Sequence, residues 1–188
     1  MRPSGFPKDR WPSPPVHSDR LSLRLAMPSD VEAIYRACVD PSTRWGVHLL
    51  PKPYLRRHAL GFVSLKRAQF RQRISLALAI TKLSDPTLVG MIELMHLSLG
   101  EQRAELGYWI SPGSRGQGYA TEAAIAMCDI GFQVLRLHRI EAGALARNRA
   151  SLHVLEKAGF RREGIFRQRS RVGREWVDQV WLARLAGQ

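Results

Sequence analysis

The chain has 188 residues, 45% of them hydrophobic, which is enough to fill one core and predicts one principal domain. Its formal net charge of +13 attracts polyanions, but the Lys and Arg residues run from Arg2 to Arg184 without forming a block or a nucleic-acid motif, so contact with nucleic acid is expected to be nonspecific. No apolar run is long enough to span a bilayer, residues 1–15 lack the apolar segment of a secretory signal, and Cys38 and Cys128 sit beside apolar neighbours in helical patterns; the expectation is a cytoplasmic protein with buried free thiols and neither metal site nor disulfide framework.

Taken in order, residues 1–18 read as a flexible extension, since Pro3, Pro7, Pro12, Pro14 and Pro15 oppose regular structure, and residues 19–188 as the domain. Leu21, Leu23 and Leu25 alternate with polar residues as a first strand. Ser29-Asp30-Val31-Glu32 reads as a capping box opening a helix to about Val39, with Pro41 closing it and Thr43-Arg44-Trp45 in the following loop. A second helix is predicted over residues 54–73. Strands follow over 74–80, 88–97 and 103–110, joined at Ser84-Asp85-Pro86 and Gly100-Glu101-Gln102, so they form an antiparallel meander. A helix to about Leu135 and a strand over 139–144 complete a right-handed crossover that puts this strand parallel to the one over 103–110. Asn148 caps a short helix to Lys157, which Gly159 ends, and residues 160–169 and 176–183 close the chain as a hairpin around Val172-Gly173-Arg174.

The stretch Glu105-Leu-Gly-Tyr-Trp-Ile-Ser-Pro-Gly-Ser-Arg-Gly-Gln-Gly-Tyr-Ala-Thr-Glu122 carries the functional signal. A strand runs into a glycine-rich turn and then into a helix whose apolar positions Ala120, Ala123, Ala124, Met127 and Ile130 recur at helical spacing. Glycines let the backbone approach a ligand, the first-turn amides are unpaired, and the helix dipole favours negative charge, which together make an anion cradle. The loop lacks the Gly-Lys-Ser/Thr of a P-loop, and Thr121 stands where a dinucleotide fingerprint has Gly. Glu141 lies about where a ribose-binding acid would, yet a single βαβ unit behind a meander argues against a dinucleotide fold. A tight turn without ligand is the alternative reading of the loop alone.

Arg115-x-x-Gly118-x-Ala120 resembles the Arg/Gln-x-x-Gly-x-Gly/Ala signature of the GCN5-related N-acetyltransferases. Gly107-Tyr-Trp-Ile, Gly116-Gln-Gly-Tyr-Ala-Thr-Glu-Ala123, Asn148-x-x-Ser151, Leu155-Glu-Lys-Ala-Gly-Phe160, Arg162-Glu-Gly164 and Gly173-x-x-Trp176-x-Asp178 are similar to the ribosomal-protein branch, so the likeness runs from about Leu21 to Leu185. The resemblance implies an α/β (α+β) fold of the GNAT kind: a mixed central sheet with an antiparallel meander, a βαβ cofactor unit and a C-terminal hairpin. It also implies acetyl transfer from acetyl-coenzyme A to a primary amine, without a metal and without a covalent enzyme intermediate.

Carried over by motif, the amides of Gly116, Gln117, Gly118, Tyr119 and Ala120, with Arg115 nearby, would hold the pyrophosphate. Tyr108, Trp109 and Ile110 would line the pantetheine arm, pairing backbone to its amides, and one strand amide would stabilise the oxyanion. The resemblance also makes Asn148 a cofactor contact, beside its local role as an N-cap. Where many relatives place a proton-donating Tyr this chain has Leu155, so the resemblance makes Ser151 the candidate acid; bonding backbone in the first helical turn is its local alternative. Glu105 is the candidate base, with Glu93 and His96 on the neighbouring strand as rivals and no carboxylate near Ser170 before Glu175. Arg44 and Trp45 fall where the family forms part of its acceptor pocket, and an anchoring role in the loop is the alternative for Trp45.

An α-amine with a pKa of about 7.7–8.0 is substantially neutral near neutral pH, whereas a lysine amine near 10.4 must lose its proton at a cost of roughly 4 kcal/mol at pH 7.5. A site without an evident strong base therefore suits a protein N-terminus. By analogy and charge the acceptor is expected to be a ribosomal protein, an acidic one suiting so basic an enzyme. A small amine such as an antibiotic or polyamine, or a noncatalytic module binding coenzyme A or RNA, are the alternatives, and the chain is expected to be a monomer or a homodimer.

Overall fold

The computed structural model describes residues 6–47 and 50–188, and the expectations for residues 1–5 lie outside them. Short strand β1 (Val16–His17) turns into β2 (Leu21–Arg24), where Leu21 and Leu23 point into the core. Helices α1 (Val31–Val39), α2 (Pro41–Gly46) and α3 (Arg56–Gln72) follow, then the meander β3 (Leu76–Lys82), β4 (Asp85–Ser98) and β5 (Arg103–Ile110). Helix α4 (Tyr119–Asp129) widens into one π turn (Ile130–Val134) before β6 (Arg139–Leu145), α5 (Arg149–Lys157) and the hairpin β7 (Arg161–Val172) and β8 (Glu175–Leu185).

All eight strands form one sheet in the order β1-β2-β3-β4-β5-β6-β8-β7, antiparallel except for β5 against β6. Side-chain alternation divides the core between its faces. Leu78, Ile80, Ile92, Leu94 and Leu106 share one cluster with Met127 of α4 and Leu152 and Leu155 of α5. Ala79 and Met91, with Trp109 beside them, share the other with Ile34 of α1 and Ala59 and Val63 of α3. The meander, the parallel crossover and the closing hairpin agree with the fold read from the sequence.

Four local expectations are corrected. Residues 6–18 are not a free extension: Phe6 is 3% exposed, its amide donates to the Arg73 carbonyl (3.0 Å), and Trp11 packs on Phe70 at 5.5 Å between ring centroids. Burying such an aromatic contributes about 2–3 kcal/mol, which outweighs the local resistance of the prolines. The Ser29 capping box does not form, because residues 28–30 make a 3₁₀ turn and the Asp30 carboxylate takes the Met27 amide (2.7 Å) and the Arg24 guanidinium (2.7 and 2.8 Å). Thr43, Arg44 and Trp45 lie in helix α2, not a loop; Asp40 caps it by accepting from the Ser42 and Thr43 amides, and Pro41 at its first position starts this helix as well as following α1. The β3–β4 turn is Leu83-Ser84, with Asp85 already paired to Lys82.

The site is positioned by a break in the sheet. β5 and β6 pair only through Arg103↔Arg139, Ala104↔Ile140 and Glu105↔Glu141. Beyond that, β5 stays with β4 as far as Gly90↔Ile110, while β6 stays with β8 as far as Leu145↔Gln179. The strands diverge into a wedge, and the β6-facing backbone of residues 106–110 has no strand partner.

Candidate active site

The wedge opens toward the glycine loop. Gly116 (φ +75°) and Gly118 (φ +81°) both adopt the left-handed conformation that favours glycine, and a Cβ on Gly116 would meet open space. Ser114 and Arg115 turn back on the carbonyls of Ser111 and Pro112, and Glu122 makes the first bond of α4, to Gly118. Between them, among the described residues, the amides of residues 116–121 donate to no backbone acceptor. This run of free donors at the N-terminus of an 11-residue helix fits a pyrophosphate.

Arg115 aims elsewhere. Its guanidinium donates to the Ile110 carbonyl (3.0 Å), Ser42 Oγ (2.6 Å) and Thr43 Oγ1 (2.7 Å), tying the end of β5 to α2. At its other end α2 reaches α5, since a methyl group on Gly46 would stand 3.5 Å from Asn148 Nδ2. Helix α2, with Arg44 half-buried and Trp45 39% exposed, therefore bridges from the cradle to α5. The arginine at the cradle is Arg20, which sequence reading missed because the turn before β2 is distant in sequence. It donates to Glu122 Oε2 (2.7 Å) and the Gln117 carbonyl (3.1 Å), and lies 5.0 Å over the Tyr119 ring. Glu122 also takes Ser18 Oγ and the Arg20 amide, both at 2.8 Å. Burial pushes its carboxyl up, but these hydrogen bonds and the Arg20 charge hold it below the usual glutamate range.

Ser151 lies in the first turn of α5, its amide donating to the Asn148 cap (3.2 Å). Its hydroxyl stands 2.9 Å from the Tyr108 hydroxyl, which also donates to the Ser151 carbonyl (3.1 Å). Burial pushes Tyr108 up to about 12, against the lowering hydrogen bond from Ser151, so the phenol is protonated at neutral pH. Leu155, one turn further on, is core. The alternation along β5 that predicts an inward Tyr108 also signals its reach toward α5; what it lacks is any pointer to Ser151, 43 residues away.

The candidate bases occupy the opposite face, as the differing parity of Glu105 and Tyr108 requires. Glu105 Oε2 lies 3.0 Å from His96 Nδ1, with His96 at φ +52° in a bulge of β4. Glu93 is buried and held by Lys66 Nζ and Ser75 Oγ, both at 2.5 Å. Glu141 pairs across the strands with Glu105 and is bound by Arg139 (2.7 Å), so it is no ribose-binding acid but the second carboxylate at the floor of the wedge. Among the described residues no group of three or more His, Cys, Asp or Glu is arranged to hold a metal. Burial pushes Cys38 up to about 11 and Cys128 up to about 12, leaving both as inert thiols. Among the described residues no helix is long and apolar enough to cross a membrane.

The acetyltransferase (GNAT) domain family matches residues 20–161. The chain is 43% identical over 101 residues to the probable N-acetyltransferase YjcK of Bacillus subtilis, across 53% of this chain and 56% of that protein, so the match spans little more than half of that relative. It is 32% identical to the uncharacterized N-acetyltransferase YoaA of the same organism, across 82% and 87%. It is also 36% identical over 80 residues to the spermidine N(1)-acetyltransferase of Escherichia coli, across 43% of each. Among solved structures, a GNAT-family acetyltransferase from Bacillus anthracis superposes with a TM-score of 0.78 at 29% identity, covering 90% of this chain and 97% of that one. Mycobacterium smegmatis RimJ in complex with CoA-disulfide gives 0.77 at 27%, covering 88% and 82%. The chain belongs to the GNAT acetyltransferase family. It is an N-acetyltransferase using acetyl-coenzyme A, and the wedge with its amide cradle fits that cosubstrate.

Proposed function

We propose that the enzyme acetylates the α-amine of a polypeptide, with a ribosomal protein as the favoured acceptor. One observation carries the preference for a peptide over a polyamine. The carboxylates around the α1/α3 side of the wedge are already engaged by the protein's own side chains: Glu93 by Lys66, Glu141 and Glu163 by Arg139, and Glu105 by a hydrogen bond with the His96 ring. A polycation would have to displace these partners and meet a strongly basic surface, whereas an α-amine brings one charge or none. The 38% identity over 82 residues to the putative ribosomal N-acetyltransferase YdaF of Bacillus subtilis supports the ribosomal assignment.

Acetyl-coenzyme A supplies the thioester. The amides of residues 116–121 grip its pyrophosphate, and the unpaired edge of residues 106–110 lies along the pantetheine arm and offers an amide to the developing oxyanion. Ser151 Oγ gives a proton to the departing thiolate, held in place by Tyr108. Glu105, about 10 Å down the strand from Tyr108, takes the amine's proton through a water, with His96 as its neighbour. Arg44 and Trp45 on α2 line the approach of the acceptor.

The test is thiol release from acetyl-coenzyme A with a panel of free-N-terminus peptides, lysine-only peptides with blocked N-termini, and spermidine. Peptides with free α-amines are expected to turn over fastest. Turnover confined to spermidine or to lysine side chains overturns the acceptor assignment.

A further inference from the structure

The C-terminal hairpin carries an arginine that the acetyl-transfer chemistry does not use. Arg169 stands with its guanidinium carbon 5.1 Å from the Phe166 ring centroid and 5.5 Å from that of Trp181, and the two rings meet edge to face at 5.6 Å. Its placement is built into the hairpin. Between the pairs Phe166↔Gln179 and Ser170↔Val177, β7 advances four residues while β8 advances two. The bulge is pinned at Gln168 (φ +50°), whose amide donates to Asp178 Oδ1 at 2.8 Å. Such bulges re-aim side chains, and this one lays Arg169 back over the sheet.

The aromatic platform adjoins the wedge. Trp181 pairs with Gly143 of β6, and its ring would stand 3.1 Å from a Cβ at Gly143, so the missing side chain makes room for the indole. Gly143 shares parity with Glu141, which pairs with Glu105, so the platform lies on the face of the candidate base. Helices α1 and α3 pack over Ala79, Met91 and Trp109, nearer the meander. Arg169 is exposed, and the two carboxylates of β8 are engaged elsewhere, Glu175 by Arg147 and Asp178 by the Gln168 amide. A guanidinium held beside two aromatic rings presents its fork of donors from a restricted position, which suits a carboxylate.

We propose that Arg169, oriented by Phe166 and Trp181, is a carboxylate-binding subsite that selects acceptor polypeptides with an acidic side chain within the first four residues. This rests on the reading that the acceptor is a peptide amine. Gly143 lies two residues, about 7 Å, into the splay from Glu141, and β7 lies two strands, about 10 Å, across from β6; the resulting span of about 12 Å takes three to four residues of an extended chain at about 3.3–3.6 Å each.

The experiment measures two quantities on the full chain. The first is calorimetric binding, with coenzyme A present, of N-acetylated peptides bearing Asp or Asn at each of positions two to four. The second is thiol release with the same peptides unblocked. One Asp position is expected to improve both binding and kcat/KM by roughly tenfold, as one charge-assisted pair allows. Arg169→Gln is expected to abolish that preference while leaving coenzyme A affinity, melting temperature and turnover of the Asn peptide unchanged; Arg169→Lys is expected to restore only part of it. Equal binding of Asp and Asn peptides, or an equal loss for both in Arg169→Gln, overturns the subsite. Preferential Asp binding without turnover of any unblocked peptide overturns the peptide-amine reading and leaves a carboxylate site standing.

Discussion

The Tyr108 hydroxyl on β5 and the Ser151 hydroxyl on α5 stand 2.9 Å apart, joining the strand before the wedge to the helix behind it. Tyr108 also donates to the Ser151 carbonyl, and Asn148 receives the Ser151 amide, so backbone and side chain of this serine are both fixed. With the Tyr108 proton directed at the carbonyl, Ser151 Oγ is left to exchange its own proton with whatever sits in the wedge. A buried phenol that stays protonated makes the arrangement insensitive to pH near neutrality.

Ser151→Ala is expected to lower kcat by about 10–100-fold with little change in the KM for acetyl-coenzyme A, at the low end for general acid catalysis because a thiolate with a thiol pKa near 8.5 leaves readily. Tyr108→Phe is expected to lower kcat less, and to cost about 1 kcal/mol of stability through the lost hydrogen bond. Steady-state kinetics between pH 6 and 9 check both. A loss in Ser151→Ala that appears wholly in KM removes the acid role.

The cradle depends on backbone shape rather than on side chains. Gly118→Ala puts a Cβ at a left-handed position and 3.3 Å from Arg20 Nη2, so it is expected to cost about 1–2 kcal/mol and to raise the KM for acetyl-coenzyme A. At Gly116 the new methyl meets open space, so Gly116→Ala is expected to cost only the conformational strain, about 1 kcal/mol, while still weakening the cofactor by crowding the approach. Calorimetric titration with coenzyme A separates the two. Unchanged affinity in both variants removes the loop from the site.

Much of this was legible because it is local. The glycine loop, the Asn148 cap and the meander turns are written in consecutive residues, and the parallel crossover follows from chain direction alone. What stayed hidden depends on register or distance. The equal pairing of Glu105 with Glu141, the meeting of Tyr108 with Ser151 and the reach of Arg20 to Gln117 each join residues far apart in sequence. The place of Arg115 in the motif points to the phosphates, yet three acceptors on β5 and α2 claim its guanidinium. The local signal at helix α2 is ambiguous in direction: Asp40-Pro41 marks the start of a helix as well as the end of one.

The two cysteines differ from reactive thiols in a measurable way. Burial holds Cys38 up to about 11 and Cys128 up to about 12, so both are neutral at pH 8. Folding therefore stabilises their protonated forms; that contribution is complete below the unfolded thiol pKa near 8.5 and is lost as pH rises toward the folded values. Iodoacetamide at pH 8 is expected to leave the native protein unmodified by mass spectrometry and to label two thiols after unfolding in urea. Rapid native labelling at either position contradicts their burial.

Glu122 sets the acid limit of the cradle. Burial alone would raise its carboxyl, but Ser18, the Arg20 amide and the Arg20 guanidinium together hold it below its unfolded value near 4.5. A depressed carboxylate contributes stability that is present above the unfolded pKa and is lost as pH falls through the lower folded pKa. Protonation would release Arg20 and the β1–β2 turn from the first turn of α4, beside the free amides. Glu122→Gln is therefore expected to cost about 1 kcal/mol at pH 7, discounted for solvent screening at this partly exposed pair, and nothing once pH has fallen through the folded pKa. Coenzyme A affinity should follow the same course, weaker in the variant at pH 7 and equal to wild type in acid where the protein remains folded. Urea titrations at pH 3, 5 and 7 measure the convergence, and a gap between variant and wild type that persists unchanged at pH 3 shows that packing, not the Glu122 charge, holds the loop.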